Sequence, residues 1–248
     1  MRCLHLACVL IVAAATASNA QVQVPNILQA TIGETDQKSP EVSTEYVRRI
    51  VSDHSSILID TRPRAEFVNG HIPTAHNLTG SPADIVQLVE KLTGDDKKKE
   101  LVLYCNGPFC QASRRMAAQL LDSGFTNVRR YQLGMPIWRA LGGPTELELD
   151  GAVRIYRGDQ TAVFLDARAA DDFNKGTLPR AHNLTPDRAQ SVQGPPMPLD
   201  DFNTRIVVFG RDGKEAKALA DALSKRPWHN VSYVAGTFPE LSAAIGSK

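Results

Sequence analysis

Cysteine is scarce and confined to two places: Cys3 and Cys8 at the extreme N-terminus, Cys105 and Cys110 near the middle. That excludes the disulfide framework of a small secreted scaffold. A surplus of one charge is also missing, since 28 basic and 27 acidic residues leave a net charge of +1. Such a balance carries no electrostatic footprint for nucleic acid or for an anionic membrane. No segment reaches the length needed to span a bilayer; the run Leu6 to Ala17 falls short of it. The central cysteines have no histidine pair beside them, and two thiols alone make a poor metal site. Neither a metal nor an organic cofactor is expected.

The short apolar run has another reading. Arg2 supplies a positive start, and Ser18-Asn19-Ala20 offers the small residues that a signal peptidase reads. Residues 1–20 are therefore expected to be an export signal cleaved before Gln21. The protein would then be periplasmic in a bacterium and secreted elsewhere, with no membrane attachment after cleavage. Cys8 lies inside the apolar run and is not read as a lipid-attachment site. Cleavage leaves 228 of the 248 residues, enough for two domains, and leaves Cys105 and Cys110 as the sole cysteines.

An internal repeat organises the rest. Ile57-Leu-Ile-Asp-Thr-Arg62, Gly70-His71-Ile72-Pro73 and Ala75-His76-Asn77-Leu78-Thr79 recur as Val163-Phe-Leu-Asp-Ala-Arg168, Gly176-Thr177-Leu178-Pro179 and Ala181-His182-Asn183-Leu184-Thr185. Ten of the 23 positions from 57 to 79 match their counterparts from 163 to 185. Leu101 to Tyr104 likewise matches Ile206 to Phe209. A period of about one hundred residues is a duplicated domain rather than a solenoid unit. The expected copies span 43–148 and 149–248, joined through Thr145 to Gly158, behind a polar leader over 21–42. Within the first copy, Ile57 to Asp60, Leu101 to Tyr104 and Val128 to Tyr131 read as buried strands. Tyr46 to Val51, the segment opening at Ser81-Pro82, and Arg114 to Leu121 read as helices. Fully apolar strands alternating with helices predict an α/β fold: a central, mainly parallel sheet flanked by helices on both faces, twice over. The second copy has Gln193-Gly-Pro-Pro-Met-Pro198 in place of the Ser81 helix.

Chemistry is expected where strands end, because side chains at the carboxyl edge of a parallel sheet face the ligand crevice. Cys105 directly follows the strand Leu101 to Tyr104 and precedes a helix. Backbone N–H groups at a helix N-terminus favour a thiolate and can bind an anion. Asn106-Gly107 tolerates positive φ, and Arg114 and Arg115 add positive charge. Cys110, in the same loop, is read three ways: a packed bystander, a resolving thiol for Cys105, or a metal ligand, of which the last is the poorest. His71, His76 and His182 belong to the repeat, and the persistence of His182 in a copy without a cysteine argues for a structural role. Asn77-Leu-Thr79, Asn183-Leu-Thr185 and Asn230-Val-Ser232 match glycosylation sequons, of a kind that arises often by chance. Trp138 reads as core.

From about residue 43 onward both halves resemble rhodanese domains. The resemblance rests on Asp60-Thr-Arg62, Glu66-Phe67, Gly70-His71-Ile72-Pro73, Ala75-His76-Asn77, Tyr104-Cys105, Gly124-Phe125 and Gly134, Trp138 and Gly142 at four-residue intervals. It implies sulfur transfer: a cysteine after the central strand takes sulfane sulfur from a donor such as thiosulfate and passes it on as a persulfide. Cys105 occupies that position. The resemblance places Asn106, Gly107, Phe109, Cys110, Gln111, Ser113 and Arg114 in the loop that would hold substrate, with Asp60 and Arg62 as supports. Partners implied are a small sulfur-containing anion or thiol, and a protein acceptor docking near the second copy. Two departures stand out. The loop from Cys105 to Ser113 is about two residues longer than the family's pattern, and the second copy carries Gly210 in place of the cysteine. A thiol–disulfide protein using Cys105 and Cys110, or a partner-binding module without catalysis, are the alternative readings.

Overall fold

The computed structural model describes residues 37–246 apart from 193 and 195. The expected export signal and the leader as far as residue 36 lie outside the described residues. Ile57–Asp60, Leu101–Tyr104 and Val128–Tyr131 are strands with the expected bounds. In the first copy β1 (Ile57–Asp60), β2 (His76–Asn77), β3 (Leu101–Tyr104) and β4 (Val128–Tyr131) form a parallel sheet in the order β2-β1-β3-β4. Its helices are α1 (Thr44–Asp53), α2 (Arg64–Val68), α3 (Pro82–Thr93), α4 (Gln111–Asp122) and α5 (Gly134–Ala140). Alternation along the strands sends Ile59, Leu101 and Leu103 to one face, where Ile85, Val89, Met116 and Leu120 of α3 and α4 bury them. Leu58, Val102 and Tyr104 point the other way, against Val47 and Ile50 of α1 and Met135 and Trp138 of α5.

Local signals start the helices. The Ser43 hydroxyl accepts the Tyr46 N–H at the head of α1, and Ser81 accepts that of Asp84 at the head of α3, with Pro82 at the first helical position. Each such cap contributes about 1 kcal/mol.

The second copy repeats the plan with β5 (Thr145–Leu147), β6 (Val163–Asp166), β7 (Ala181–Asn183), β8 (Ile206–Phe209) and β9 (Val231–Val234), all parallel, in the order β5-β9-β8-β6-β7. Its helices are α6 (Leu149–Gly158), α7 (Ala170–Lys175), α8 (Gly213–Leu223) and α9 (Phe238–Gly246). Among the described residues a single 3₁₀ turn, Pro186–Arg188, stands where the first copy has α3. Among the described residues no helix is long and apolar enough to cross a membrane.

Two segments differ from expectation. Pro40 to Val42, read as the end of a loose leader, lies beside β4: Arg130 N–H donates to the Pro40 carbonyl and Val42 N–H to that of Arg130. Thr145 to Leu147, read as part of the join, is a strand of the second sheet. Its backbone also bonds the first copy, for His71 and Glu146 exchange both N–H···O bonds at 3.0 and 2.9 Å.

Candidate functional site

Because β3 is buried throughout and ends at Tyr104, the chain delivers its next residue to the carboxyl edge of the sheet. That residue is Cys105, only 3 % exposed. Its carbonyl accepts the Met135 N–H at 3.1 Å, and a Cβ on Gly134 would stand 2.2 Å from the same oxygen. Glycine at 134 is thus a condition for α5 to start against the cysteine loop. The loop itself runs from 105 to 110. Gly107 has φ 99°, and its carbonyl accepts the Cys110 N–H at 3.1 Å, which closes a turn. The Asn106 amide donates to Glu66 Oε2 at 2.5 Å, and Phe109 projects at the tip, 81 % exposed. Gln111 opens α4, Ser113 is buried in its first turn, and Arg114 is half-buried and engaged by a neighbour.

Cys110 holds the N-cap position of α4 and is bonded to Cys105 in a disulfide, their Cα atoms 6.1 Å apart. A bond to Cys105 is the geometry that the reading of Cys110 as a resolving thiol requires. In this oxidised state neither sulfur is a nucleophile, so the thiolate expected at Cys105 belongs to the reduced pair.

Asp60 and Arg62 lie under the loop. The Asp60 carboxylate is fully buried and accepts the Arg62 backbone N–H at 2.9 Å, Nε at 3.0 Å and Nη2 at 2.6 Å. Arg62 Nη2 also reaches the Gly70 carbonyl, and Nη1 stands 4.0 Å from Glu66. Burial disfavours the Arg62 charge, yet the Asp60 carboxylate outweighs it and raises the guanidinium pKa. Burial, with Asp60 adding to it, pushes the Tyr104 phenol well above its ordinary value. Asp166 and Arg168 repeat this pair in the second copy, down to the bond with the Gly176 carbonyl. A pair present in both copies supports the strand end; the link from Arg62 through Glu66 to Asn106 is what ties it to the cysteine loop.

The repeated histidines behave otherwise than expected. His71 is buried and bonds the Phe67 carbonyl, but His76 and His182 are exposed and their side chains bond nothing among the described residues. The structural part falls to the next residue. Asn77 donates to the carbonyls of Asp60 and Arg62, and Asn183 to those of Asp166 and Arg168. Two of the three sequon asparagines therefore have their amides committed inside the fold. Trp138 is core as expected, its indole N–H on the Pro144 carbonyl.

In the second copy only residues 210–212 separate β8 from α8. Asp212 caps the Glu215 N–H, and the Glu215 carboxylate accepts the Arg211 N–H at 2.7 Å. A side chain thus fills the turn that precedes the helix. Asp212 followed three residues later by Glu215 is a capping-box pattern, a signal in the sequence that the reading above passed over. On the first copy a cleft of about 410 Å³ runs along α4, lined by Thr61, Gly80, Pro82, Ala112, Arg115 and Met116 among others, while neither cysteine lines it.

A rhodanese-like domain model matches residues 43–141 and again 152–244. The chain is 35 % identical over 89 residues to an HTH-type transcriptional regulator of Mycobacterium tuberculosis, covering 36 % of this chain and 37 % of that protein. It is 30 % identical over 111 residues to the adenylyltransferase and sulfurtransferase UBA4 of Candida albicans, covering 44 % of this chain and 25 % of that protein. The chain thus spans between a quarter and little more than a third of the length of these curated relatives. Among solved structures, the 3-mercaptopyruvate sulfotransferase SseA of Escherichia coli aligns over 80 % of this chain and 98 % of its own, at 18 % identity and a TM-score of 0.38.

Proposed function

Because the chain belongs to the rhodanese-like family, we propose that it is an exported sulfurtransferase that carries sulfane sulfur on Cys105. The observation that supports this most is the position of Cys105, at the carboxyl end of the central strand of a rhodanese-like domain, at the entrance to a loop that leads into α4. Once the pair with Cys110 is reduced, the Cys105 thiolate attacks the outer sulfur of thiosulfate or a similar donor. The donor's S–S bond breaks, sulfite leaves with the bonding pair, and Cys105 becomes a persulfide. An acceptor thiolate or cyanide then takes the outer sulfur and Cys105 leaves as thiolate. Loop N–H groups and the positive charge of Arg114 and Arg115 favour an anionic donor. The family relationship favours a small sulfur anion or thiol as substrate, and a protein acceptor would dock near the second copy. Export rests on the N-terminal pattern alone, and an oxidising compartment agrees with a standing disulfide.

The disulfide supports a second reading, a thiol–disulfide protein in which Cys110 resolves mixed disulfides on Cys105. One experiment separates the two. The purified chain is reduced, freed of reductant, incubated with thiosulfate and analysed by mass spectrometry. A Cys105 peptide heavier by one sulfur atom supports transfer. A parallel sample takes oxidised glutathione, a two-electron disulfide oxidant, in place of thiosulfate. A linked Cys105–Cys110 peptide two hydrogens lighter there, with no sulfur gained from thiosulfate in the first sample, supports the redox reading. Two unmodified thiols in both samples would refute both and leave a partner-binding module.

A further inference from the structure

Arg139 stands in α5, where the first copy meets the second. Its side chain makes no hydrogen bond or ion pair with the described residues, and its Nε is buried without a partner. Burial, together with the nearby guanidinium groups of Arg62 and Arg205, pulls its pKa down to about 10. Neither neighbour compensates it: Arg62 is committed to Asp60, and Arg205 has Asp159 at 3.9 Å. Arg139 is half-buried, and a guanidinium drawn partly out of water without a partner costs free energy that a counter-ion would offset. An arginine kept in such a place calls for an anion that the chain itself does not supply.

A cleft shows where that anion would sit. It encloses about 320 Å³ between Pro136, Arg139 and Ala140 of the first copy and Asn203, His229 and Asn230 of the second. No carboxylate lines it. The second-copy wall is tied together, since the Asn230 amide donates to the Asn203 carbonyl at 3.3 Å and the His229 N–H to that of Phe202 at 3.0 Å. On the first-copy side, the Pro136 ring packs on Gly107 of the cysteine loop, within 3.7 Å of where a Cβ would be. A concave site with an arginine in its wall and imidazole and amide groups at its rim suits a compact oxyanion.

We propose that this inter-copy cleft binds a small oxyanion of the sulfate, sulfite or thiosulfate type, with Arg139 as its counter-ion and His229 and the two asparagines as further contacts. This goes beyond the reading of Cys105, because it needs no thiol, and it gives the cysteine-free copy a ligand-binding task.

Sulfate, which has no sulfane sulfur to donate, is the probe. Its binding to the full chain is measured by calorimetry, and thermal midpoints are recorded with and without it. Wild type and Cys105→Ser are expected to bind sulfate alike and saturably. Arg139→Met should lose affinity by about tenfold or more, since a charge-assisted contact is removed, and His229→Ala should lose less. In sulfate-free buffer Arg139→Met should melt at or above the wild-type midpoint, because the charge it removes has no partner. Absence of saturable binding in wild type, unchanged binding in Arg139→Met, or loss of binding in Cys105→Ser would each overturn the proposal. An Arg139→Met protein that melts well below wild type or fails to fold would do the same, by showing a structural arginine. None of these results touches sulfur transfer by Cys105, which the mass measurement tests separately.

Discussion

At the scale of residues, the difference between the copies that bears on chemistry is Cys105 in the first and Gly210 in the second. A Cβ on Gly210 would meet Ala216 N at 3.0 Å, Glu215 Oε2 at 3.1 Å and the Asp212 carbonyl at 3.3 Å. The second turn is therefore closed around an internal carboxylate, whereas the first has six residues and a sulfur. Gly210→Cys is expected to gain no sulfur transfer, because a carboxylate beside the new thiol disfavours the thiolate. Iodoacetamide rates against pH would show an apparent pKa above the free value of about 8.5 for it. A Gly210→Cys thiol as reactive at neutral pH as reduced Cys105 would contradict that account. For Cys105 itself, serine keeps the size but offers a poor sulfur acceptor at neutral pH. Transfer should fall by at least about a hundredfold in Cys105→Ser, as for loss of an enzyme nucleophile. Substantial cyanolysis by that variant would place the nucleophile elsewhere.

The cysteine loop is the element on which function turns. If transfer is the activity, the bond to Cys110 withholds the nucleophile, so Cys110→Ala should keep turnover and raise it under oxidising conditions. If disulfide exchange is the activity, the same variant should lose it, since a mixed disulfide on Cys105 would have no internal thiol to resolve it. Parallel assays of cyanolysis and disulfide reduction on Cys110→Ala discriminate the two, and loss of transfer in a folded variant defeats the first. Elements of this kind differ in how far a sequence betrays them. β3 was legible because a fully buried strand reads as an unbroken apolar run, and β1 because three of its four residues do; α1 and α3 begin at Ser43 and Ser81, which are helix-capping residues. β5 was not, since Thr145-Glu146-Leu147 carries no apolar run and becomes a strand only because β9 offers it an edge. The five-residue spacing allowed a disulfide, but only the turn at Gly107 brings the sulfurs together. Asn77 and Asn183 recur in the repeat as the histidines do, but read there as sequons, because a sequence does not show which carbonyls an amide satisfies.

At the scale of the whole molecule, β5 fastens one copy to the other. Its Glu146 exchanges backbone bonds with His71, lies 3.7 Å from His71 Nε2, and accepts the Tyr233 hydroxyl at 2.6 Å. Thr145 Oγ1 and Ser232 Oγ bond at 2.7 Å alongside, and Arg64 pairs with Glu148 next to it. Burial works against the Glu146 charge, but the nearby His71 imidazole and the hydrogen bond from Tyr233 outweigh it and hold the carboxyl below its ordinary pKa. A carboxylate depressed in the folded chain contributes stability above its unfolded pKa of about 4.3 and loses it as pH falls through the folded value. Glu146→Gln keeps the shape and removes the charge. It should be less stable than wild type by about 1 kcal/mol at neutral pH, the cost of weakening a hydrogen-bonded, half-buried carboxylate. That difference should shrink toward zero as the pH is lowered past the depressed pKa, where wild-type Glu146 is itself protonated. Urea unfolding midpoints of both proteins over a series of pH values measure it. A gap that stays constant into acid, or widens there, would mean that the charge on Glu146 does not hold the junction and that shape alone joins the copies.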